Sequence, residues 1–146
     1  MDLTNLKMAQ GEPQWASKHN GLVDTVQNVG TTIDNARWTN QSTDGLVMGS
    51  GVELKGGGYK YTDAGGVRFV MLSVWVRITT DAKGISLPDV ITLPDNIACK
   101  SAVKGWLGSS AEWSVAANKV SIGDTVGNTS RSWNGSEFVI TAYYNA

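Results

Sequence analysis

Tryptophans that lie close to polar side chains are the residues of this chain best suited to contact a ligand. Three of the six tryptophans fall near the ends of predicted strands, at Trp106, Trp113 and Trp133. An indole offers an apolar face to the C–H side of a sugar ring, while carboxylate, amide and guanidinium groups fix the directions of the hydroxyls. The neighbours with suitable donors or acceptors are Lys104, Glu112, Asn118, Asp124, Arg131 and Asn134.

We take the three tryptophans, together with Glu112, Asp124, Arg131 and Asn134, as the candidate saccharide-binding set. The alternative for each tryptophan is a place in the core or in a subunit interface. The remaining tryptophans, Trp15, Trp38 and Trp75, are assigned to packing.

The sequence has few of the cysteines and histidines on which most metal sites and many catalytic sites depend. Cys99 is the single cysteine and His19 the single histidine, which excludes an internal disulfide, a cysteine-based zinc site and a multi-histidine centre. His19 lies far along the chain from the serines of the C-terminal half, so a Ser/His/Asp triad is not expected. No spacing among the thirteen acidic residues singles out a glycosidase pair. We expect no enzymatic activity, no metal and no cofactor, and we expect Cys99 to be a small buried hydrophobe.

The charge and hydropathy of the sequence argue against two classes of partner. Twelve basic and thirteen acidic residues give a net charge of −1, without the basic excess of a binder of duplex nucleic acid or of a membrane surface. The N-terminus has no basic region followed by an apolar run, and no stretch of about 18 apolar residues occurs. We therefore expect neither nucleic acid nor membrane as a partner, synthesis in the cytoplasm, and release by lysis if the protein acts outside a cell.

The first 34 residues are predicted to contain an attachment or trimerisation helix. Pro13 suits the first turn of a helix because its missing N–H has no partner there. Apolar residues then follow at spacings of 4, 3, 4, 3 and 4, the rhythm of a coiled-coil seam. This seam consists of Trp15, His19, Leu22, Val26, Val29 and Ile33. A short helix is marginal alone in water, so the seam needs a cover, either another copy of the chain or a neighbouring domain or protein.

Residues 35–45 are rich in turn-forming side chains and are predicted to be a linker to a β domain over residues 46–146. In the strand predicted over 67–80, one face is wholly apolar: Val70, Leu72, Val74, Val76 and Ile78. The opposite face carries Phe69, Met71, Ser73, Trp75 and Arg77. This mixture is too apolar for open water and predicts cover by a partner subunit or by an adjacent sheet.

Further short strands are predicted over 46–54, 58–62, 102–107, 112–116, 119–122 and 136–144. GGGYK at 56–60 lacks the ending of a phosphate-binding loop and is predicted to be a hairpin turn. Pro88 and Pro94 predict that LPDVITLPD is a crossover connection of defined shape. Strands at this spacing favour a mainly β fold, an antiparallel jelly-roll-like β-sandwich preceded by a short N-terminal helix.

The stretch VITLPDNIACKSAVKGWLGSS at 90–110 follows a long apolar strand and precedes NKVSIGD and an aromatic last strand. This order, over about Val67 to Tyr144, resembles the C-terminal head domain of receptor-binding proteins from tails and baseplates of phages that infect Gram-positive bacteria. The resemblance implies a homotrimer at the tail tip of a virion, with a β head that grips host cell-wall polysaccharide. It also implies that the N-terminus contacts other tail or baseplate proteins. Such heads often combine tryptophan with histidine, whereas this head contains no histidine.

In such an assembly, the trimer interface would combine the helical seam with Phe69, Met71 and Trp75. Two other functions stay open. One is a structural tail or baseplate component whose aromatic face contacts protein and which binds no saccharide. The other is a polysaccharide-degrading enzyme.

Overall fold

The computed structural model describes residues 19–28, 37–84 and 86–146. Residues 19–28 form a helix, and no helix in the described ranges is long and apolar enough to cross a membrane. Within the same ranges the strands are β1 (Val47–Met48), β2 (Val52–Ala64), β3 (Val67–Ile78), β4 (Ser86–Thr92), β5 (Cys99–Trp106), β6 (Ala111–Ala117), β7 (Lys119–Asp124) and β8 (Glu137–Asn145). A 3-10 turn at Asp95–Ile97 separates β4 from β5.

The strands form two antiparallel sheets. A five-stranded sheet has the order β1-β4-β7-β6-β5, and a three-stranded sheet has the order β2-β3-β8. The order β4-β7-β6-β5 is a Greek key, the motif from which jelly rolls are built. One hydrophobic core takes residues from both sheets, including Leu72 of β3 and Ile122 of β7. The prediction of a mainly β, antiparallel, sandwich-like fold is confirmed.

β3 supplies the longest stretch of this core. Its five inward side chains, from Val70 to Ile78, are at most 1% exposed. β8 pairs along nearly the whole of β3, from Phe69 opposite Asn145 to Arg77 opposite Glu137, and adds Ile140 and Ala142 to the core. The two-residue periodicity therefore predicted the inner face of β3 correctly. Each fully buried aliphatic side chain of this kind contributes roughly 1.5–3 kcal/mol to folding.

The predicted hairpin turn at 56–60 is wrong, because the three glycines lie inside β2. Gly57 has φ +91°, and a Cβ at this position would lie 2.1 Å from the carbonyl oxygen of Ser73 on β3. Glycine is thus required by close approach of two strands rather than by chain reversal. β2 instead runs on to Ala64, and the turn into β3 is Gly65–Gly66.

The segment LPDVITLPD is only partly the connection that the prolines predict. Pro88 lies within β4, where the pairing with β7 shifts register between Leu87 and Ile91. Proline is tolerated there because a β-bulge leaves positions without ladder hydrogen bonds. Pro94, with φ −66°, starts the 3-10 turn that leads to β5.

The chain divides into two compact units. One contains residues 1–37 and Asp63–Gly66, and the other contains Trp38–Thr62 and Val67–Ala146. In the first unit, Val23 of the helix is buried while Leu22 and Val26 of the predicted seam are exposed. His19 is half-buried, and the seam positions Trp15, Val29 and Ile33 lie outside the described residues.

In the second unit, the end of the predicted linker runs along β2. The N–H of Thr39 donates to the carbonyl of Tyr61 at 2.8 Å, and Ser42 exchanges two 2.8 Å backbone bonds with Tyr59.

Replacing Gly57 with alanine should destabilise the fold by about 2–4 kcal/mol, because the strained φ and the contact with the Ser73 carbonyl act together. Gly56→Ala is the matched control, since a Cβ at Gly56 meets nothing within 4 Å. The control should be unchanged or up to ~1 kcal/mol more stable. Urea unfolding of both variants measures the difference, and equal stabilities would contradict the close-approach argument.

Candidate functional site

An exposed indole stands at the end of the five-stranded sheet. Trp106, the last residue of β5, is 70% exposed and lies directly opposite Glu112 at the start of β6. Because side chains alternate along a strand, Lys104 shares the outer face with Trp106, and it pairs with Ser114. The Lys104 ammonium lies 3.7 Å from the Glu112 carboxylate. The outer face of this hairpin therefore combines an aromatic plane with an ion pair.

Small residues continue this face onto β7. Glu112 pairs with Gly123, and Ser114 pairs with Ser121. The surface beside the indole is consequently flat and rich in hydroxyls. We call this surface the outer platform and define it as Lys104, Trp106, Glu112, Ser114, Ser121 and Gly123.

A buried ion pair holds the turn beside the platform. The Arg131 guanidinium donates to a carboxylate oxygen of Asp124 at 2.6 Å, and to the carbonyl and hydroxyl oxygens of Ser110 at 2.8 and 3.0 Å. The other Asp124 oxygen accepts backbone N–H bonds from Val126 at 2.9 Å and Asn128 at 3.2 Å. The bond from Arg131, together with these N–H bonds, lowers the pKa of Asp124 below its usual range. Asp124 and Arg131, predicted to bind saccharide, instead join the β5–β6 turn to the β7–β8 loop.

Two of the three candidate tryptophans lie in the core, so the structure corrects their predicted role. Trp133 is fully buried, with its indole N–H donating to the carbonyl of Gly84 at 2.9 Å and Arg131 stacked 4.4 Å from its ring centroid. Trp113 is 8% exposed and lies over Gly105, where a Cβ would meet its ring at 2.6 Å. Neither indole has a face free for a sugar.

The two remaining candidate residues, Asn134 and Glu112, lie in different parts of the structure. The Asn134 amide is exposed but donates to Asp81 at 3.0 Å, in the connection before β8. Glu112 belongs to the outer platform. Of the candidate saccharide-binding set, the structure thus brings Trp106 and Glu112 together on the outer platform, and it brings Asp124, Arg131 and Trp133 together below the surface. Sequence reasoning did not single out Ser114 and Ser121, although the alternation of the short strands places them on the same face.

A second surface covers the outside of the three-stranded sheet. Phe69 and Trp75 of β3 are 41% and 42% exposed, and Met71 between them is half-buried. Across the ladder, Trp75 faces Val139 and Met71 faces Tyr143. Val139 and Tyr143 are 64% and 63% exposed. We call these five residues the β3–β8 outer face, and the part of the chain that the structure describes leaves much of it exposed.

Polar contacts along this face hold its side chains in place. The Trp75 indole N–H donates to Glu137 at 3.1 Å, and Arg77 lies 3.9 Å from the same carboxylate. Val139 and Tyr143 were absent from the predicted interface. The alternation of the last strand carried the signal, because its inward residues Ile140 and Ala142 leave these two on the opposite side.

Cys99 is buried, as expected from its place beside a strand. Its thiol donates to the carbonyl of Ser101 at 2.8 Å, and burial raises its pKa. Burial thus favours the protonated thiol over a nucleophilic thiolate.

Comparison with protein-family models, with curated proteins and with solved structures finds no match to this chain.

Acid should weaken the fold through Asp124. A carboxyl whose pKa is lowered on folding contributes stability above its unfolded pKa, and this contribution is lost as the pH falls through the folded value. Stability should therefore decline below about pH 4. In Asp124→Asn, the unfolding midpoint at pH 7 should be lower and its dependence on acid pH shallower. Thermal unfolding from pH 2 to 7 measures both, and parallel curves for variant and wild type would refute the role of the pair.

Proposed function

We propose that this protein is an adhesion protein that binds saccharide on the outer platform. The observation that carries the proposal is Trp106, an indole 70% exposed among polar and small residues rather than within an apolar patch. Leaving a large aromatic surface in water forgoes its burial energy, so such an indole favours a ligand with one apolar face. A pyranose has such a face, and its hydroxyls match the polar groups nearby.

Each residue of the outer platform has its own role in saccharide binding. Trp106 stacks on the C–H face of a ring, the Glu112 carboxylate accepts hydrogen bonds from hydroxyls, and the Lys104 ammonium donates to ring or hydroxyl oxygens. The hydroxyls of Ser114 and Ser121 both donate and accept hydrogen bonds. The platform contains one carboxylate, whereas hydrolysis of a glycosidic bond requires two on opposite sides of it. Binding without cleavage is therefore the activity proposed.

Weak single sites need repetition, and the β3–β8 outer face supports it. Shallow polar sites are wet and gain little free energy per hydroxyl. Rigidly linked copies raise the overall avidity by about 10²- to 10⁴-fold without any new contact. We propose that copies of the chain associate as a homotrimer through this apolar face, with the helical seam as a second contact.

The resemblance to phage receptor-binding heads extends the proposal to a biological setting. The chain would be part of a virion at the phage tail tip, made in the host cytoplasm and released by lysis. Its saccharide would be host cell-wall polysaccharide, and its N-terminus would contact other tail or baseplate proteins.

A second candidate function has an observation of its own. The β3–β8 outer face brings together four large exposed hydrophobic side chains, those of Phe69, Trp75, Val139 and Tyr143. Such a face fits protein better than sugar. A structural tail or baseplate component would bind protein through this face, and its outer platform would bind no saccharide.

The substitution Trp106→Ala separates these two functions. With soluble fragments of wall polysaccharide from candidate Gram-positive hosts, it should weaken binding by at least about tenfold, which corresponds to ~1.4 kcal/mol. Trp38→Ala is the matched control, since Trp38 is a partly exposed indole in the segment beside β2, near Lys60, and its loss should leave the affinity unchanged. Calorimetric titration with the fragments measures both. If no fragment binds the wild type, or if both variants bind like it, the platform proposal fails.

Charge on the β3–β8 outer face should dissociate the assembly. Val139→Lys places an ammonium at a position that association would cover, so the trimer should give way to the 15.6 kDa chain. Val126→Lys is the matched control, because Val126 is 70% exposed in the β7–β8 loop away from this face. Sedimentation equilibrium decides the outcome. A wild type that sediments as a monomer at every concentration would contradict self-association.

A further inference from the structure

A cleft of about 310 Å³ opens between the two sheets, beside the part of β4 that is not paired with β1. It lies where the β1–β2 turn, the end of β3 and the bulge of β4 meet. The residues that shape it are Ser50, Val52, Ile78, Thr80, Leu87 and Asp89. Its wall is therefore aliphatic, and its rim carries two hydroxyls and a carboxylate.

Close backbone packing builds this cleft before any ligand arrives. The N–H of Gly49 donates to the carbonyl of Val90 at 3.0 Å, and a Cβ at Gly49 would lie 2.1 Å from the carbonyl oxygen of Asp89. A Cβ at Gly51 would lie 2.4 Å from the Thr80 side chain. The turn thus sits directly against β4 and β3, and the cleft keeps its shape with little freedom to collapse.

The charges at the rim cancel. Lys119 of β7 places its ammonium 2.8 Å from one oxygen of Asp89. The other oxygen makes no hydrogen bond within the described ranges, and the same is true of the Ser50 and Thr80 hydroxyls. A cation would meet Lys119 and an anion would meet Asp89, so the rim favours a neutral ligand that offers hydroxyl donors and acceptors.

We infer that this cleft is a second saccharide subsite, which holds a single neutral sugar ring. The partly exposed aliphatic side chains of Val52 and Leu87 take the C–H face of the ring. The free oxygen of Asp89 and the hydroxyls of Ser50 and Thr80 bind its hydroxyl groups. The volume equals that of about ten water molecules, which is room for one ring rather than for a chain of rings.

The cleft is separate from the outer platform. The cleft lies between the sheets, where Leu87 is paired with the buried Ile122, whereas the platform lies on the outward face of the same sheet. β4 is also three strand spacings, or about 14 Å, from β5, which carries Trp106. The choice of saccharide as the ligand class rests on the proposed function, whereas the selection for a neutral hydroxylated ligand rests on the cleft alone.

Amide chemical shifts of the ¹⁵N-labelled full chain test the inference. The probes are glucose, galactose, rhamnose and N-acetylglucosamine at millimolar concentration, with glucosamine and glucuronate as the charged arms. At least one neutral sugar should cause saturable shifts at residues 49–51 and at Thr80. The absence of such shifts with every neutral sugar, or tighter binding of a charged sugar, overturns the inference.

Two variants link the shifts to the cleft. Ser50→Phe fills the cleft from an exposed position and should abolish the shifts, whereas Ser130→Phe, at an exposed serine of the β7–β8 loop, should keep them. Asp89→Asn retains the shape but loses the charged acceptor, and should weaken binding by at least about fivefold. Shifts unchanged in both cleft variants would overturn the subsite.

A third variant separates this inference from the proposed function. Trp106→Ala should leave the cleft shifts intact while it impairs binding of wall polysaccharide fragments. If Ser50→Phe leaves the sugar shifts unchanged while Trp106→Ala still impairs fragment binding, the second subsite fails and the outer platform stands. If the cleft binds neutral sugars but Trp106→Ala has no effect on fragments, the outer platform fails instead.

Discussion

Burial of the inner face of β3 between the two sheets is the constraint on which the other features depend. Once Val70 to Ile78 point inward, strand geometry places Phe69, Met71 and Trp75 on the outside. A register slip of one residue would reverse every side chain, so the hydrophobic effect fixes the register of β3 and, through nine paired positions, that of β8. The apolar outer face is therefore a consequence of core formation, and what covers it is a question about assembly.

The same rule separates the tryptophans of the β5–β6 hairpin. Gly105 and Trp113 are opposite each other on the inner side, so the indole fills the space that a glycine leaves. One step along the ladder, Trp106 and Glu112 face outward. The ion pair between Asp124 and Arg131 then fixes the adjacent turn through Ser110. A buried network thus supports a surface that stays exposed.

The two sheets present surfaces of different chemistry. The outer platform is polar around one indole, which suits a hydrated ligand with an apolar face. The β3–β8 outer face is apolar with a polar border, which suits another protein surface. Their separation on different sheets would allow association through one surface while the other stays accessible to a ligand.

The sequence by itself determined the fold class, the inner face of β3, the burial of Cys99 and most strand positions, because period-two alternation is a local signal. It did not determine where Gly57 lies, since its need for glycine comes from the Ser73 carbonyl on another strand. Nor could composition decide among Trp106, Trp113 and Trp133, which have similar polar neighbours along the chain. Only the tertiary structure placed one indole in water and two in the core, because burial depends on contacts between residues far apart in sequence.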